Sequence, residues 1–590
     1  MHRIVTTSLL YHKMLKKSRY GIIRGMEKIE KILKKIIEET FGIKAEAKVE
    51  KAPELQGRKE GEREGFRADF ATNVAMKISK EVGKNPREIG EILREVFLKE
   101  DLGTLEGTQV EIAGPGFLNF MLPDEYFKEK LGEFGGNLEE FKKNISRDEY
   151  LDKTVVTEFS DPNPFKVLHI GHFYTSVVGE SISRLFELSG AKVYRVNFGG
   201  DVGLHVGKTI YSLIKKGLKE FTIEDVAECY VEGTREYEED EEARKEIIEL
   251  NKKIYQIAEN GEREGEIAKI YWKGRELSYR YFEDFYEKIG VKFDKFYPES
   301  EVAEKGVREV VEHTPGVYEK SEGATVFKGE KFGLHTRVFI NKEGLPTYET
   351  KDVGLLFEKW ADFKFDESVV ITGNDIIEYM KVVLKSVEQY APELVQKTRH
   401  LTHGNVKLPG AVKMSSRKGN FIKAVDVLED VREKTSNDLI ALGAIKYAFL
   451  KYRIGGDIEF DIEESVSTTG NSGVYLQYSC VRAKKILKED SEEELDKGFS
   501  KEWELNPFEV RICKKFVEYP EVIKQAVREM APNVICNYLF ETAQEFSRFY
   551  ENCKVNGSEF EAERRRIVRA FRNVMEQGLG LLGIEVPEEM

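Results

Sequence analysis

The residues best placed to do chemistry fall in one run, Asp161-Pro-Asn-Pro-Phe-Lys-Val-Leu-His-Ile-Gly-His172. An apolar, strand-like segment precedes it, Thr154-Val-Val-Thr-Glu-Phe159. A helical pattern follows from Gly171 to Ser189, with Val178, Ile182 and Leu185 on one face and Gly190 as its stop. His169 and His172 therefore stand where a strand hands over to a helix N-terminus. Free backbone N–H groups and the positive end of the helix dipole gather there and make a ready anion site. Gly171 lets a ligand approach the backbone closely. Far downstream, Val412-Lys-Met-Ser-Ser-Arg-Lys-Gly419 is a glycine-ended loop whose cations and hydroxyls suit polyphosphate oxygens. Alone, the histidines read as helix caps and the loop as a solvated surface. Together and in this order they point to an enzyme that grips a polyphosphate such as ATP.

The whole chain bounds that reading. Its 590 residues leave room for about three or four domains. Hydrophobic content of 41% and charged content of 34% fit a well-packed globular protein. No apolar run approaches the ~18 residues that a membrane span needs. The five cysteines, Cys229, Cys480, Cys513, Cys536 and Cys553, are scattered without a Cys-x-x-Cys pair. That spacing indicates neither a zinc cluster nor a redox pair, and it suits a reducing, cytoplasmic setting. The net charge of −14 argues against broad nonspecific RNA binding but leaves local docking open.

Several kinds of element must position the chemistry. Residues 1–25 are basic and poor in acids and are expected to be an irregular, disordered extension. A first α/β unit spans 26–124, with helices over Glu27–Phe41 and Asn73–Val82 and a strand-like Thr108–Leu122 broken by Gly114-Pro115-Gly116. A charged linker, 137–152, leads to a unit at 150–455 where strand and helix patterns alternate, as a parallel α/β sheet requires. A helical, highly charged insertion is expected at 209–330. Its acidic run, Glu236 to Glu242, reads as a solvated helix face and not a metal site. From 460 to 590 the patterns are helical alone, over 472–488, 507–526, 534–551 and 561–582.

The histidine run and the lysine loop resemble the two signature motifs of class I aminoacyl-tRNA synthetases, and further motifs narrow the resemblance. Glu-Phe-Ser-Asp-Pro-Asn-Pro ahead of the histidines, Ile112-Ala-Gly-Pro-Gly-Phe-Leu-Asn-Phe120, Gly473-Val-Tyr-Leu-Gln-Tyr478 and the terminal Leu582-Gly-Ile-Glu-Val-Pro-Glu-Glu-Met590 are similar to the arginyl-tRNA synthetase family. The likeness runs from about residue 26 to the end. It implies a Rossmann-type catalytic domain with a helical insertion, an N-terminal tRNA-binding α/β domain, and a C-terminal all-α anticodon-binding bundle. The implied reaction joins arginine to tRNA(Arg) through an arginyl-adenylate, with ATP and Mg2+, and with arginine activation dependent on tRNA. A monomer in the cytoplasm is expected, with no membrane partner and no protein-bound zinc.

The resemblance also implies roles. His169 and His172 donate to ATP phosphate oxygens, and Gly171 underlies the nucleoside. Lys413 and Lys418 close over the triphosphate, with Met414 and Ser415 at the nucleotide. The second lysine position of the family loop holds Ser416 here, followed by Arg417. Lys166, three residues ahead of His169, is the expected compensating cation. Glu158, Tyr348 and Asp352 are placed at the guanidinium, and Asn163 at the amino acid's α-amino or carboxylate end. Two carboxylates and a phenol satisfy a planar guanidinium, whereas lysine leaves acceptors unmet. Whether Ile376 or Asp375 also contacts arginine stays open. Asp201, in a glycine-rich turn beside the pocket, reads as structural. Tyr475 and Tyr478 are the expected anticodon readers, since an exposed aromatic stacks on a base for ~1–3 kcal/mol. Met590 is placed beside them, Arg482 at a phosphate, and Asn119 at the tRNA elbow.

Other classes of protein compete with this reading. A catalytically silent tRNA-binding relative would show degenerate signatures, yet both histidines and Lys413 are present. A smaller nucleotidyltransferase would not need the helical C-terminal region. A glutamyl enzyme is disfavoured by the acidic pocket, and a cysteinyl enzyme by the absence of zinc ligands.

Overall fold

The structure, a computed structural model, describes residues 24–52, 68–145, 149–409, 422–435, 437–487 and 498–590. At its centre lies a five-stranded, wholly parallel sheet. In spatial order the strands are Thr398–His403, Glu367–Gly373, Thr154–Glu158, Lys192–Gly199 and Lys295–Pro298. The first strand in sequence is therefore central. The chain winds outward to Lys295–Pro298, then returns to build the other side from Glu367–Gly373. The order reverses between Thr154–Glu158 and Glu367–Gly373, where an open parallel sheet leaves a crevice beyond its strand ends. Val155, Val369 and Ile371 are buried, as a sheet covered on both faces requires.

From the end of the central strand a loop leads into the helix Ile170–Leu188, which buries Phe173, Val177, Val178, Ile182 and Leu185. An amphipathic helix thus turns its apolar stripe to the sheet and offers its N-terminus to the crevice.

The N-terminal unit carries a four-stranded antiparallel sheet in the order Glu50–Lys51, Phe70–Thr72, Phe117–Met121, Gln109–Ala113. Helices Arg24–Phe41, Val74–Val82 and Pro86–Phe97 supply its core with Ile29, Leu33, Ile78, Leu93 and Phe97. The first of these helices begins at Arg24, inside the expected extension; residues 1–23 lie outside the described residues.

Two expectations are corrected. The stretch 137–152 is not only a linker, because it contains the helix Leu138–Ile145. Phe141 and Ile145, one turn apart, are buried, and Phe141 stacks on Tyr519 at 6.2 Å. Two apolar residues at that spacing seat a short helix whatever its charge. The stretch 209–330 is not helical throughout: its helices run to Lys288 and resume only over Glu299–Glu312. Lys295–Pro298 then joins the parallel sheet, and Glu319–Ser321 pairs with Ala324–Phe327, which also pairs with Arg337–Ile340. Strands this short show too little alternation to be read from sequence.

The C-terminal part is helical, with long helices Gly473–Ile486, Pro507–Glu529, Pro532–Asn552 and Glu561–Leu581. It packs on the N-terminal unit, where Lys514 pairs with Asp69, and on the helix Asp124–Phe134 that follows it, where Phe134 stacks on Phe516 at 6.1 Å. It also packs on the histidine helix: Ser181 Oγ donates to Leu581 O at 2.9 Å, and Arg184 Nη1 to Gly580 O at 2.9 Å.

Candidate active site

A cavity of about 1010 Å³ opens at the carboxyl ends of the parallel strands, on the reversal of strand order. Glu158, Asp161, Asn163, His169, Gly171, His172, Tyr348 and Asp352 all line it. Residues far apart in sequence thus share one wall, and Glu158 and Asp352 face the same space. Gly200, just past the neighbouring strand, lines it too; a Cβ there would stand 2.6 Å from Asn163 Oδ1 and displace that side chain.

The histidine turn departs from one expectation. Its backbone N–H groups are not free. Ile170 N–H donates to Ile422 O at 2.9 Å, Gly171 N–H to His169 Nδ1 at 3.1 Å, and His172 N–H to His169 O at 2.9 Å. His169 N–H donates to His172 Nδ1 at 3.2 Å, completing a reciprocal cap. The imidazoles stack with centroids 3.8 Å apart. Gly171 serves this fold-back, since a Cβ would meet the His169 ring at 2.9 Å. An Nδ1 that accepts a hydrogen bond carries no proton, so a neutral ring holds its hydrogen on Nε2. Burial and the Lys166 charge press His169 down to about 4. Burial, then His169 and Lys166, hold His172 well below its ordinary value. Both rings are therefore neutral near pH 7, each with an Nε2–H donor. The donors this turn can offer an anion are those of the imidazoles and not of the backbone. They cap the helix and present donors at the same time.

The acids are distinguished by their partners. Glu158 is buried and ion-paired with Lys359. Glu299 pairs with Lys351 at 2.5 Å. Asp352 takes a hydrogen bond from Tyr379 Oη and pairs with no cation among the described residues, and burial pushes its carboxyl up to about 8. Tyr348 sits at the cavity mouth, 58% exposed, one turn before Asp352 on the helix Tyr348–Phe363. Asn163 Oδ1 accepts from Gly200 N–H at 2.8 Å, which leaves its amide hydrogens for a ligand. Asp201 is structural: it accepts from Ser300 N–H and Oγ and pairs with Arg275 at 2.8 Å. Ile376 and Asp375 both line the cavity.

Lys166 lines a smaller adjoining cavity of about 230 Å³ with Tyr230, His169 and His172, and its Nζ lies 5.0 Å over the Tyr230 ring. Lys413, Met414, Ser415 and Lys418 lie outside the described residues. The chain re-enters at Ile422, the acceptor of Ile170 N–H, and Ala424 N–H donates to Leu168 O at 2.9 Å. Among the described residues no group of three or more His, Cys, Asp or Glu side chains is set to hold a metal.

Of the expected tRNA readers, Tyr478 is 45% exposed. Tyr475 is not its equal: it is half-buried, edge-on to Phe540 at 5.9 Å, with its hydroxyl 3.3 Å from Ser547 Oγ. Side chains three apart on a helix differ by ~60° in direction, enough to turn one inward. Arg482 stacks on Tyr550 at 4.0 Å. The tail lies along the same helix, with Gln477 Nε2 donating to Glu585 O at 2.7 Å and Lys485 Nζ to Met590 O at 3.4 Å. Asn119 lies mid-strand, half-exposed, opposite Ala71 and Glu111.

Residues that sequence reasoning did not single out are Asp161, Tyr379, Lys359 and Arg337. Asp161 stood in the run that drew attention first. Tyr379 and Arg337 come from elements with no motif of their own, and Lys359 lies two turns beyond Asp352 on the helix Tyr348–Phe363.

The catalytic unit, residues 138–446, matches the family described as tRNA synthetases class I (R), catalytic domain. Residues 27–122 match the arginyl tRNA synthetase N terminal domain, and 476–590 the DALR anticodon binding domain. An arginine–tRNA ligase of Borreliella burgdorferi is 30% identical over 547 residues, covering 84% of this chain and 90% of its own. One of Clostridium perfringens is 28% identical over 533 residues, covering 86% and 91%. The solved arginyl-tRNA synthetase of Thermus thermophilus superposes with a TM-score of 0.74 at 22% identity, over 96% of this chain and 100% of that one, which shows the shared fold. The chain belongs to the arginyl-tRNA synthetase family.

Proposed function

We propose that the chain attaches L-arginine to tRNA(Arg) by way of arginyl-adenylate. ATP enters as its magnesium complex, the ion held by phosphates and water. The arginine carboxylate attacks the α-phosphorus and pyrophosphate leaves. The 2′-hydroxyl of the terminal tRNA ribose then takes the arginyl group and AMP leaves. Neither step needs a strong base; both need position and donors where phosphate charge develops. His169 and His172 give Nε2–H donors to phosphate oxygens, and Lys166 adds a cation beside them. Lys413 and Lys418, with Met414 and Ser415, serve the nucleotide from the loop that precedes Ile422. Glu158, Asp352 and Tyr348 hold the guanidinium, and Asn163 orients the α-amino or carboxylate end. At the far end, Tyr478 reads the anticodon beside Tyr475 and Met590, and Asn119 meets the tRNA elbow. The protein works as a monomer in the cytoplasm, a setting supported by five buried free cysteines.

One observation carries this reading: a single crevice at the sheet's reversal holds both a neutral imidazole pair and a buried acid without a cation. The Asp352→Ala variant tests it. Charging of tRNA with arginine is lost while tRNA affinity is retained; unchanged arginine kinetics remove Asp352 from the pocket's function.

A further inference from the structure

A tRNA is a rigid, extended partner, and the chain offers it two surfaces: the N-terminal unit with Asn119 and the C-terminal helices with Tyr478. Resting on that reading, we propose that the buried ion pair between Asp69 and Lys514 fixes the angle between the two surfaces, so that one tRNA meets both at once. Lys514 is then a positioning residue for tRNA, acting through the placement of the N-terminal unit.

Each end of the pair is fastened to its own surface. Asp69 is buried at the rim of the N-terminal sheet. Its N–H donates to Phe120 O at 2.7 Å, and its Oδ2 accepts from Leu122 N–H at 2.6 Å. It is thus tied to the strand Phe117–Met121, which carries Asn119. Its Oδ1 pairs with Lys514 Nζ on the helix Pro507–Glu529. The next residue ties that helix to Pro532–Asn552: Lys515 Nζ donates to Glu541 at 2.6 Å, and Tyr538 Oη donates to Lys515 O at 2.5 Å. Pro532–Asn552 in turn holds Tyr475 through Phe540 and Ser547. A run of direct contacts therefore joins the strand bearing Asn119 to the helix bearing Tyr475 and Tyr478, with the ion pair crossing between the units.

Packing beside the pair is incomplete. A cavity of about 290 Å³ lies there, lined by Asp69, Met121 and Leu122 on one side and by Val510 on the other. The joint that follows the sheet has its own anchor, where Asp124 Oδ2 accepts from Leu505 N–H at 2.9 Å. One anchor leaves a unit free to swing, and a second point away from the joint fixes its angle. Asp69 and Lys514 are that second point. Desolvation offsets much of the attraction within a buried pair, and the best-attested use of such a pair is to select one arrangement among several. A ligand that spans two surfaces gains affinity only when both engage together, and units already held at the right angle avoid an ordering cost on binding.

The test compares two RNAs on the full chain: whole tRNA(Arg), which spans both surfaces, and its isolated anticodon stem-loop, which reaches only the C-terminal helices. In the unmodified protein whole tRNA binds much more tightly. Lys514→Met keeps the apolar stem and removes the charge; whole tRNA then binds roughly 10-fold more weakly while the stem-loop is unaffected. In charging assays the KM for tRNA rises by the same factor and kcat is retained. Lys514→Arg, which keeps the charge, recovers most of the loss. Asp69→Asn, which keeps an oxygen for Leu122 N–H, reproduces the Lys514→Met result. Unchanged binding of whole tRNA in both Lys514→Met and Asp69→Asn overturns the proposal. Equal weakening of both RNAs overturns it too, since that marks damage to the C-terminal helices themselves. If Lys514→Met melts below the unmodified protein, Asp69→Asn is read by the same ratio. Whole tRNA bound no more tightly than the stem-loop by the unmodified chain would instead refute the two-surface reading, and the proposal with it.

Discussion

At the scale of residues, the site depends on which groups are already satisfied. His169 and His172 spend their Nδ1 atoms on backbone N–H groups, which fixes the Nε2–H tautomer. Glu158 is paired with Lys359, whereas Asp352 accepts from Tyr379 and has no ion pair among the described residues. Asp352 gives this a measurable form. A carboxyl with a raised pKa keeps its proton in the fold between its ordinary 3.8 and about 8. Folded protein then holds more protons than unfolded, so stability falls as pH rises through that window. A guanidinium binds the ionised form, so arginine affinity rises across the window and levels off above about 8. Calorimetric titration with arginine on both sides of that pH checks it: Asp352→Asn shows a weaker dependence, and an identical one contradicts the assignment. The motif residues Asn163, His169 and His172 were legible because short runs of the chain carry them. Tyr379 and Lys359 were not, because their roles arise only when the helix Ile377–Glu388 and the end of Tyr348–Phe363 fold against the crevice.

At the scale of elements, long periodic segments were legible and short ones were not. The histidine helix and the four C-terminal helices fell within a few residues of their expected bounds, because amphipathic stripes repeat over several turns. Lys295–Pro298 and Leu138–Ile145 were missed, because tertiary packing and not local pattern makes them. The helix Leu138–Ile145 follows a junction where Asn573, fully buried on Glu561–Leu581, donates to Phe134 O and Gly136 O at 2.9 Å each. Asn573→Ala leaves two buried carbonyls unmet and lowers stability by about 2–4 kcal/mol, read from the denaturant midpoint. An unchanged midpoint would show that water or a shift of the backbone replaces these bonds.

At the scale of the molecule, the helix that begins at His169 ends against the C-terminal region. Ser181 and Arg184 hold the carbonyls of Leu581 and Gly580, and Lys446 Nζ holds Gly583 O at 2.5 Å. From there the tail runs along the helix bearing Tyr475 and Tyr478. One continuous set of contacts thus links the proposed anticodon surface to the histidine turn, and this gives the expected need for tRNA in arginine activation a physical route. The most direct measurement is ATP–pyrophosphate exchange by the full chain, run with each standard amino acid, with and without tRNA(Arg). Exchange with arginine alone, and only when tRNA is present, is the predicted result. Exchange driven as well by another amino acid, or absent with arginine although tRNA is bound, would contradict a crevice built for arginine and ATP together.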